Sequence, residues 1–356
     1  MSEDLSQQTC LVTGGAGFIG VAASGGLARR FGSVVALDCL LPQVHNQPHR
    51  PADLDPAVRL VQGDVCDPEV WDGLLAEVRP DVVLHLAAET GTGQSLRQST
   101  LHTAANVVGT SQMLDAFVRH DALPSRVILT SSRAVYGEGA WRSLSDGSVF
   151  YPGQRKIDDL EAGRWDFPDA QPLPMSATTT TPQPVSVYAV TKLTQEHLLG
   201  VWAAAFGVDL AVLRLQNVYG PGQSLSNPYT GIMSLFCRLA RSGQAIPLYE
   251  DGEIRRDFVL IDDVAQALLA VIDRPAANGH TIDIGSGRIQ TIRTAAEAIA
   301  THYGAPYPVV TGQYRLGDVR HAWADPTQAS QLLNWRAGYD LDEGVARLAK
   351  WIESQL

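Results

Sequence analysis

The chain has 356 residues, 45% of them hydrophobic and 18% charged, which suits one large or two smaller domains around a sizeable core. A formal net charge of −11 without a long basic run repels phosphate backbones and argues against a nucleic-acid partner, although a few local arginines can still hold a phosphorylated small molecule. Four widely spaced cysteines, Cys10, Cys39, Cys66 and Cys237, argue against a disulfide framework or a zinc site, so no metal is expected.

The opening stretch MSEDLSQQ is polar and acidic and does not read as a secretory leader. No run approaches the ~20 apolar residues that span a bilayer, so a cytoplasmic protein without a membrane partner is expected. Thr9–Thr13 reads as a strand, followed by a glycine turn and a helix to about Arg30. Residues 33–37 form a second strand ending in Asp38, and residues 58–62 a third ending near Asp64. Residues 67–78 read as a helix, and residues 82–86 and 126–130 as strands. Continuous apolar strands separated by helices predict an α/β fold, a doubly wound parallel sheet covered on both faces.

Residues 137–184 break this rhythm with Gly, Pro, Asp, Ser and Thr, and are expected to form a long excursion over the active-site side. The pattern returns with a helix over 187–206 and a strand over 210–215. A loop over 219–228 then leads to a helix near 231–242 and the segment 245–249. Helices are expected over 262–273, 291–303 and 342–355, the last with an apolar stripe at Val345, Leu348, Trp351 and Ile352.

Chemistry-bearing residues cluster at the predicted strand ends. Gly14, Ala16, Gly17, Phe18 and Ile19 lie in TGGAGFIG, between a strand and a helix. Glycines there allow a pyrophosphate to approach the backbone, and the helix N-terminus offers it free N–H groups. Asp38 is placed to bond the adenosine ribose and to repel a 2′-phosphate, which favours NAD over NADP. Asp64 and Val65 can frame the adenine, and Leu86, Ala87 and Ala88 put small residues where the cofactor crosses the sheet edge. Tyr188 and Lys192 are four apart on one helix face. The ammonium is expected to lower a phenol pKa that is ordinarily about 10, and to hold the nicotinamide ribose. Ser132, with Ser131 in reserve, supplies a hydroxyl at the end of the fifth strand.

Together these residues resemble the extended short-chain dehydrogenases of the nucleotide-sugar epimerase/dehydratase family. The likeness is carried by TGGAGFIG, Asp38, Asp64-Val65, HLAA at 85–88, TSSRAVYG at 130–137, YAVTK at 188–192, RLQNVYGPGQ at 214–223, RRDFVLIDDV at 255–264 and RLGDVRHAWAD at 315–325. The resemblance implies a Rossmann-type NAD-binding domain over 1–215, with 255–285 returning to it. A smaller C-terminal substrate-binding domain would comprise 216–254 and 286–356. It further implies tightly held NAD, a nucleotide-sugar substrate, and a homodimer whose helices near 99–120 and 188–206 form a four-helix bundle. By the same resemblance, Asn217, Arg256 and Arg315 contact the substrate pyrophosphate and Asp318 a nucleoside ribose.

Dehydratases of this family carry an Asp-Glu pair directly after the strand-end hydroxyl. Here Arg133 and Ala134 stand there, and neither exchanges a proton at neutral pH. This disfavours a 4,6-dehydratase and leaves 4-epimerisation, with Glu89 and Thr90 as further candidates to touch substrate. Two stretches, AAETGTGQS at 87–95 and SSRAVYGEGAW at 131–141, narrow the resemblance to bacterial 4-epimerases of dTDP-6-deoxyhexoses such as dTDP-L-rhamnose. UDP- and GDP-sugars stay open, as does a non-catalytic NAD-binding regulator, which would not need Tyr188, Lys192 and Ser132 together.

Overall fold

The computed structural model describes residues 4–45, 48–225, 227 and 231–355. Seven parallel strands form its centre: β1 (Thr9–Thr13), β2 (Ser33–Asp38), β3 (Arg59–Gln62), β4 (Val82–His85), β5 (Arg126–Ser132), β6 (Asp209–Leu215) and β7 (Thr281–Ile284). Their order is β7-β6-β5-β4-β1-β2-β3. Leu11 of β1 lies between Val35 of β2 and Val83 of β4. The chain reverses its winding between β1 and β4, and ligands of such sheets lie in the crevice at that point.

Alternate side chains of each strand feed two cores. Cys10, Val12, Ala36, Leu84 and Leu213 pack on one face with helices α1 (Phe18–Ala28) and Ile261–Ile272. Leu11, Val35, Leu37, Val83 and Leu129 pack on the other with α2 (Pro68–Glu77), α3 (Gly109–Arg119) and α4 (Val187–Phe206). Burial on both faces explains why the strands read as unbroken apolar runs. Segment 255–285 contributes strand β7 and the helix against α1, while a third core joins Phe236, Ile299, Leu348 and Ile352 in a C-terminal lobe. Trp351, predicted on the apolar stripe, is only partly buried at the edge of that core.

Two features depart from the sequence reading. The helix expected over 99–120 is interrupted by a π-helical stretch, Ala104–Val108, between Ser99–Thr103 and α3. This turns Asn106 inward, where its amide bonds the backbone N–H and C=O of Glu89 and the Thr191 hydroxyl. Residues 137–184 are more regular than their composition suggests. They hold a three-stranded antiparallel sheet of Trp141–Ser143, Val149–Phe150 and Ala170–Pro172, and a short helix, Ile157–Glu161. Strands of two or three residues are too short to show alternation in sequence. Pro228, the expected end of the loop after Asn217, lies outside the described residues. No described helix is long and apolar enough to cross a membrane.

The first turn depends on absent side chains. Gly14 adopts φ +67°, and a Cβ there would lie 2.8 Å from the Ala87 nitrogen. A Cβ on Gly20 would meet the Gly15 carbonyl oxygen at 2.5 Å. Gly20→Ala must therefore push α1 off the turn, and chemical denaturation should register a loss of about 1–3 kcal/mol. Unchanged stability would show that the turn has slack.

Candidate active site

A cavity of about 600 Å³ lies between the ends of β4, β5 and β6 and the C-terminal lobe. It gathers Ile19, Leu86, Ala88, Thr90, Ser131, Ser132, Arg133, Tyr188, Lys192, Asn217, Arg256, Arg315 and Asp318. The expected adenosine-side residues lie outside its walls, beside the glycine turn. The Asp38 carboxylate accepts from the Ala16 N–H at 3.0 Å and the Leu40 N–H at 2.9 Å. Gly17 caps α1 without a side-chain bond, so the first helical N–H groups stay free for an anion. Phe18 packs near Gly222. Asp64 is exposed and accepts from the Cys66 N–H, whereas Val65 and Ala87 are buried in the core below α3. The close approach of Gly14 to Ala87 and the carboxylate behind the turn fit a dinucleotide.

Ser132 caps a short 3₁₀ helix, Arg133–Tyr136, and its hydroxyl accepts from the Ala134 N–H at 3.1 Å. It also faces the Tyr188 phenol. Burial raises the Tyr188 pKa, opposed by hydrogen bonding to Ser132 and by the charge of Arg133. Burial outweighs both, and Arg133 is a cation that opposes it. Lys192 is 2% exposed and its ammonium donates to Gln195 Oε1 at 2.5 Å. Burial pushes its pKa down to about 7, opposed by Glu196.

Gln195 continues a buried chain of neutral groups. Its amide nitrogen donates to Thr110 Oγ1 at 2.9 Å and to His85 Nε2 at 3.2 Å. This leaves His85 Nδ1–H to donate to Thr13 Oγ1, 2.6 Å away. Burial keeps His85 neutral, with a pKa of about 3. Ser131 serves a different network. Its hydroxyl donates to Glu196, which pairs with Arg214 at 2.6 Å, so the reserve serine is committed to a buried ion pair.

The substrate half is cationic. Arg133 Nε donates to Asn217 Oδ1 at 2.8 Å. Arg256 is buried and donates to the carbonyls of Arg255, Val319 and Arg320. Burial, then the nearby Arg133, pushes its pKa down to about 9. Arg315 stacks over Tyr249, 5.1 Å from the ring centre, and Asp318 faces the same cavity. Glu89 lies outside the cavity walls, and burial raises its carboxyl pKa.

Gln216 escaped the sequence reading. It is buried at the cavity wall, and neither its amide oxygen nor its nitrogen has a hydrogen-bond partner among the described residues. An unpaired buried amide is costly, so a ligand polar group reaching it gains free energy. No spacing signals such a residue, because only the folded wall leaves it unpaired.

Two measurements follow from this wall. Gln216→Met removes both unpaired atoms at similar volume; it should add about 1–2 kcal/mol of stability while weakening substrate binding on the order of tenfold. Unchanged affinity would remove Gln216 from the site. Lys192 has a folded pKa below its unfolded one, so between about pH 7 and the ordinary lysine range the unfolded chain binds the extra proton and stability rises with pH. Lys192→Met should therefore raise the Tm of cofactor-free protein, by more at about pH 6 than at about pH 9. An equal gain at both pH values would contradict a charged, desolvated lysine.

Known proteins resemble this chain in sequence and fold. The model of the NAD dependent epimerase/dehydratase family matches residues 10–156 and 162–285. A dTDP-L-rhamnose 4-epimerase of Burkholderia thailandensis is 51% identical over 346 residues, covering 97% of this chain and 95% of the relative. The UDP-glucose 4-epimerase of Thermotoga maritima, solved with UDP-glucose, superposes with a TM-score of 0.79 at 26% identity, covering 98% of this chain and 99% of that one. The UDP-glucose 4-epimerase of Thermus thermophilus, solved with NAD, gives 0.77 at 26% identity, covering 98% of this chain and 100% of that one. The chain belongs to the NAD-dependent epimerase/dehydratase family.

Proposed function

We propose that the protein is a nucleotide-sugar 4-epimerase working through tightly bound NAD, with a dTDP-6-deoxyhexose such as dTDP-L-rhamnose as substrate. The observation that carries this reading is the pairing, within one cavity, of the Tyr188–Ser132 hydroxyls with the guanidinium groups of Arg133 and Arg256. One end suits the oxidation of an alcohol, the other a diphosphate. Two guanidinium groups that disfavour each other's charge gain most from a doubly charged ligand. The 51% identity to a dTDP-L-rhamnose 4-epimerase supports the choice of sugar.

NAD held at the glycine turn would supply a hydride acceptor, and then a hydride donor, for the sugar C4. Tyr188, as phenolate, takes the proton of the sugar C4 hydroxyl, and Ser132 shares that hydrogen bond. Arg133 stabilises the phenolate before the transfer, and Lys192 orients the cofactor ribose. The 4-keto sugar turns about its diphosphate, held by Arg133, Arg256 and Arg315 with Asn217. With C4 reduced from its opposite face, Tyr188 returns the proton to the C4 oxygen, so nothing is consumed. Arg133 and Ala134 offer no acid–base pair for loss of water, which argues against a dehydratase.

We also infer the homodimer implied by the resemblance. Helix α4 packs against the helical segment 99–119 on its own subunit. Both leave large apolar side chains in water, among them Leu101, Val108, Val118, Val190 and Phe206, with Val201 75% exposed. An apolar strip across two neighbouring helices suits a four-helix contact with a second copy.

Purified protein incubated with dTDP-L-rhamnose and no added cofactor should invert C4. Tyr188→Phe should keep NAD while losing activity by a factor on the order of 10²–10⁴. A stable 4-keto-6-deoxy product from a dTDP-hexose would instead make the protein a dehydratase.

A further inference from the structure

The excursion over residues 137–184 reaches the substrate half of the cavity through buried charge. Arg155 pairs with Glu138 at 3.3 Å and with Glu250 at 2.8 Å. Arg320, 1% exposed, pairs with Glu250 at 2.9 Å, Asp251 at 2.8 Å and Asp166 at 3.0 Å. His321 lies 2.9 Å from the same Asp166. Glu138, Arg155 and Asp166 come from the excursion; Glu250, Asp251 and Arg320 come from the C-terminal lobe.

These charges hold one short piece of backbone. Residues 311–320 form no helix or strand. Arg155 Nη2 donates to the Asp318 carbonyl at 2.9 Å. Arg256 donates to the carbonyls of Val319 at 2.8 Å and Arg320 at 3.1 Å. The Arg320 N–H donates to Glu138 Oε2 at 2.8 Å. Three consecutive residues are thus fixed by side chains, two of them supplied by the excursion. The same loop presents Arg315 and Asp318 to the cavity.

We propose that the excursion is a clamp on the substrate-binding loop, and that Arg155 and Glu138 are positioning residues that set affinity for the nucleoside-diphosphate end of the substrate. The proposal rests on the nucleotide-sugar reading for its ligand, but the clamp itself is a property of the loop. A loop with no ladder of its own samples many conformations, and binding then incurs the entropy of ordering it. Holding its peptides in advance removes that cost without touching the substrate. Neither residue lies at the cavity wall, and the Glu138 charge reaches Arg133 and Arg256 only through space.

The test uses the full-length protein with its retained cofactor, in wild type, Arg155→Met and Glu138→Gln forms. Removing one partner from a buried pair can prevent folding; Glu138→Gln keeps an acceptor for the Arg320 N–H and serves if Arg155→Met does not fold. Hydrogen exchange of peptides covering 315–321 should quicken on the order of tenfold or more, with exchange of the glycine turn unchanged. The KM of the nucleotide sugar and the Kd of dTDP and UDP should rise on the order of tenfold, with kcat within about threefold of wild type. Unchanged exchange at 315–321 in a folded variant overturns the clamp. Faster exchange with unchanged KM, or a fall in kcat alone, overturns its role in affinity. If wild type binds neither dTDP nor UDP while exchange still responds, the clamp stands and the nucleotide-sugar reading fails.

Discussion

Charge withdrawn from water governs the edge of the central sheet. Lys192 and Arg256 are buried where an apolar core meets the cavity, and Tyr188 and Arg133 stand half-buried beside them. Burial lowers the pKa of Lys192 and Arg256 and raises that of Tyr188. None of these shifts favours the resting protein. Each leaves a group that gains by meeting a ligand of suitable charge, which is the condition for binding energy to be used in chemistry.

The surroundings of Lys192 show how such a charge is tolerated. Its closest partner is the neutral amide of Gln195, backed by Thr110, His85 and Thr13. Dipoles stabilise the ammonium less than a carboxylate would, so its orientation is fixed while its proton stays labile. The chain ends at Thr13, whose hydroxyl also accepts from the Ala87 N–H. The lysine is therefore tied to the two strand ends that meet at Gly14, and the glycine turn and helix α4 are held in one register.

On the substrate side the same problem is solved with ion pairs. Arg155 and Arg320 are neutralised by Glu138 and Glu250 and so make no demand on a ligand. Arg133 and Arg256 hydrogen-bond to carbonyl and amide groups, and carboxylates such as Asp318 and Glu138 act on them only through space. The difference sets the arginines paired behind the wall apart from the two that line the cavity. The antiparallel sheet of the excursion, with strands on either side of Arg155 and Asp166 in sequence, gives the insertion a regular base.

Local chemistry made much of this legible in the residues alone. Apolar runs buried on both faces, three spaced glycines, Asp38 at a strand end, and Tyr188 with Lys192 on one helix face follow from rules acting over a few residues. The chain thereby determined its parallel sheet, its glycine turn and the placement of Tyr188 and Lys192 on one helix face. What lay beyond reach depends on who meets whom across long separations. The neighbour of Tyr188 is Arg133, Ser131 is spent on Glu196, Gln216 is left unpaired at the wall, and Arg155 grips the Asp318 carbonyl. Hydrogen bonds and charges act over a few ångströms of space, and only the folded chain sets those distances.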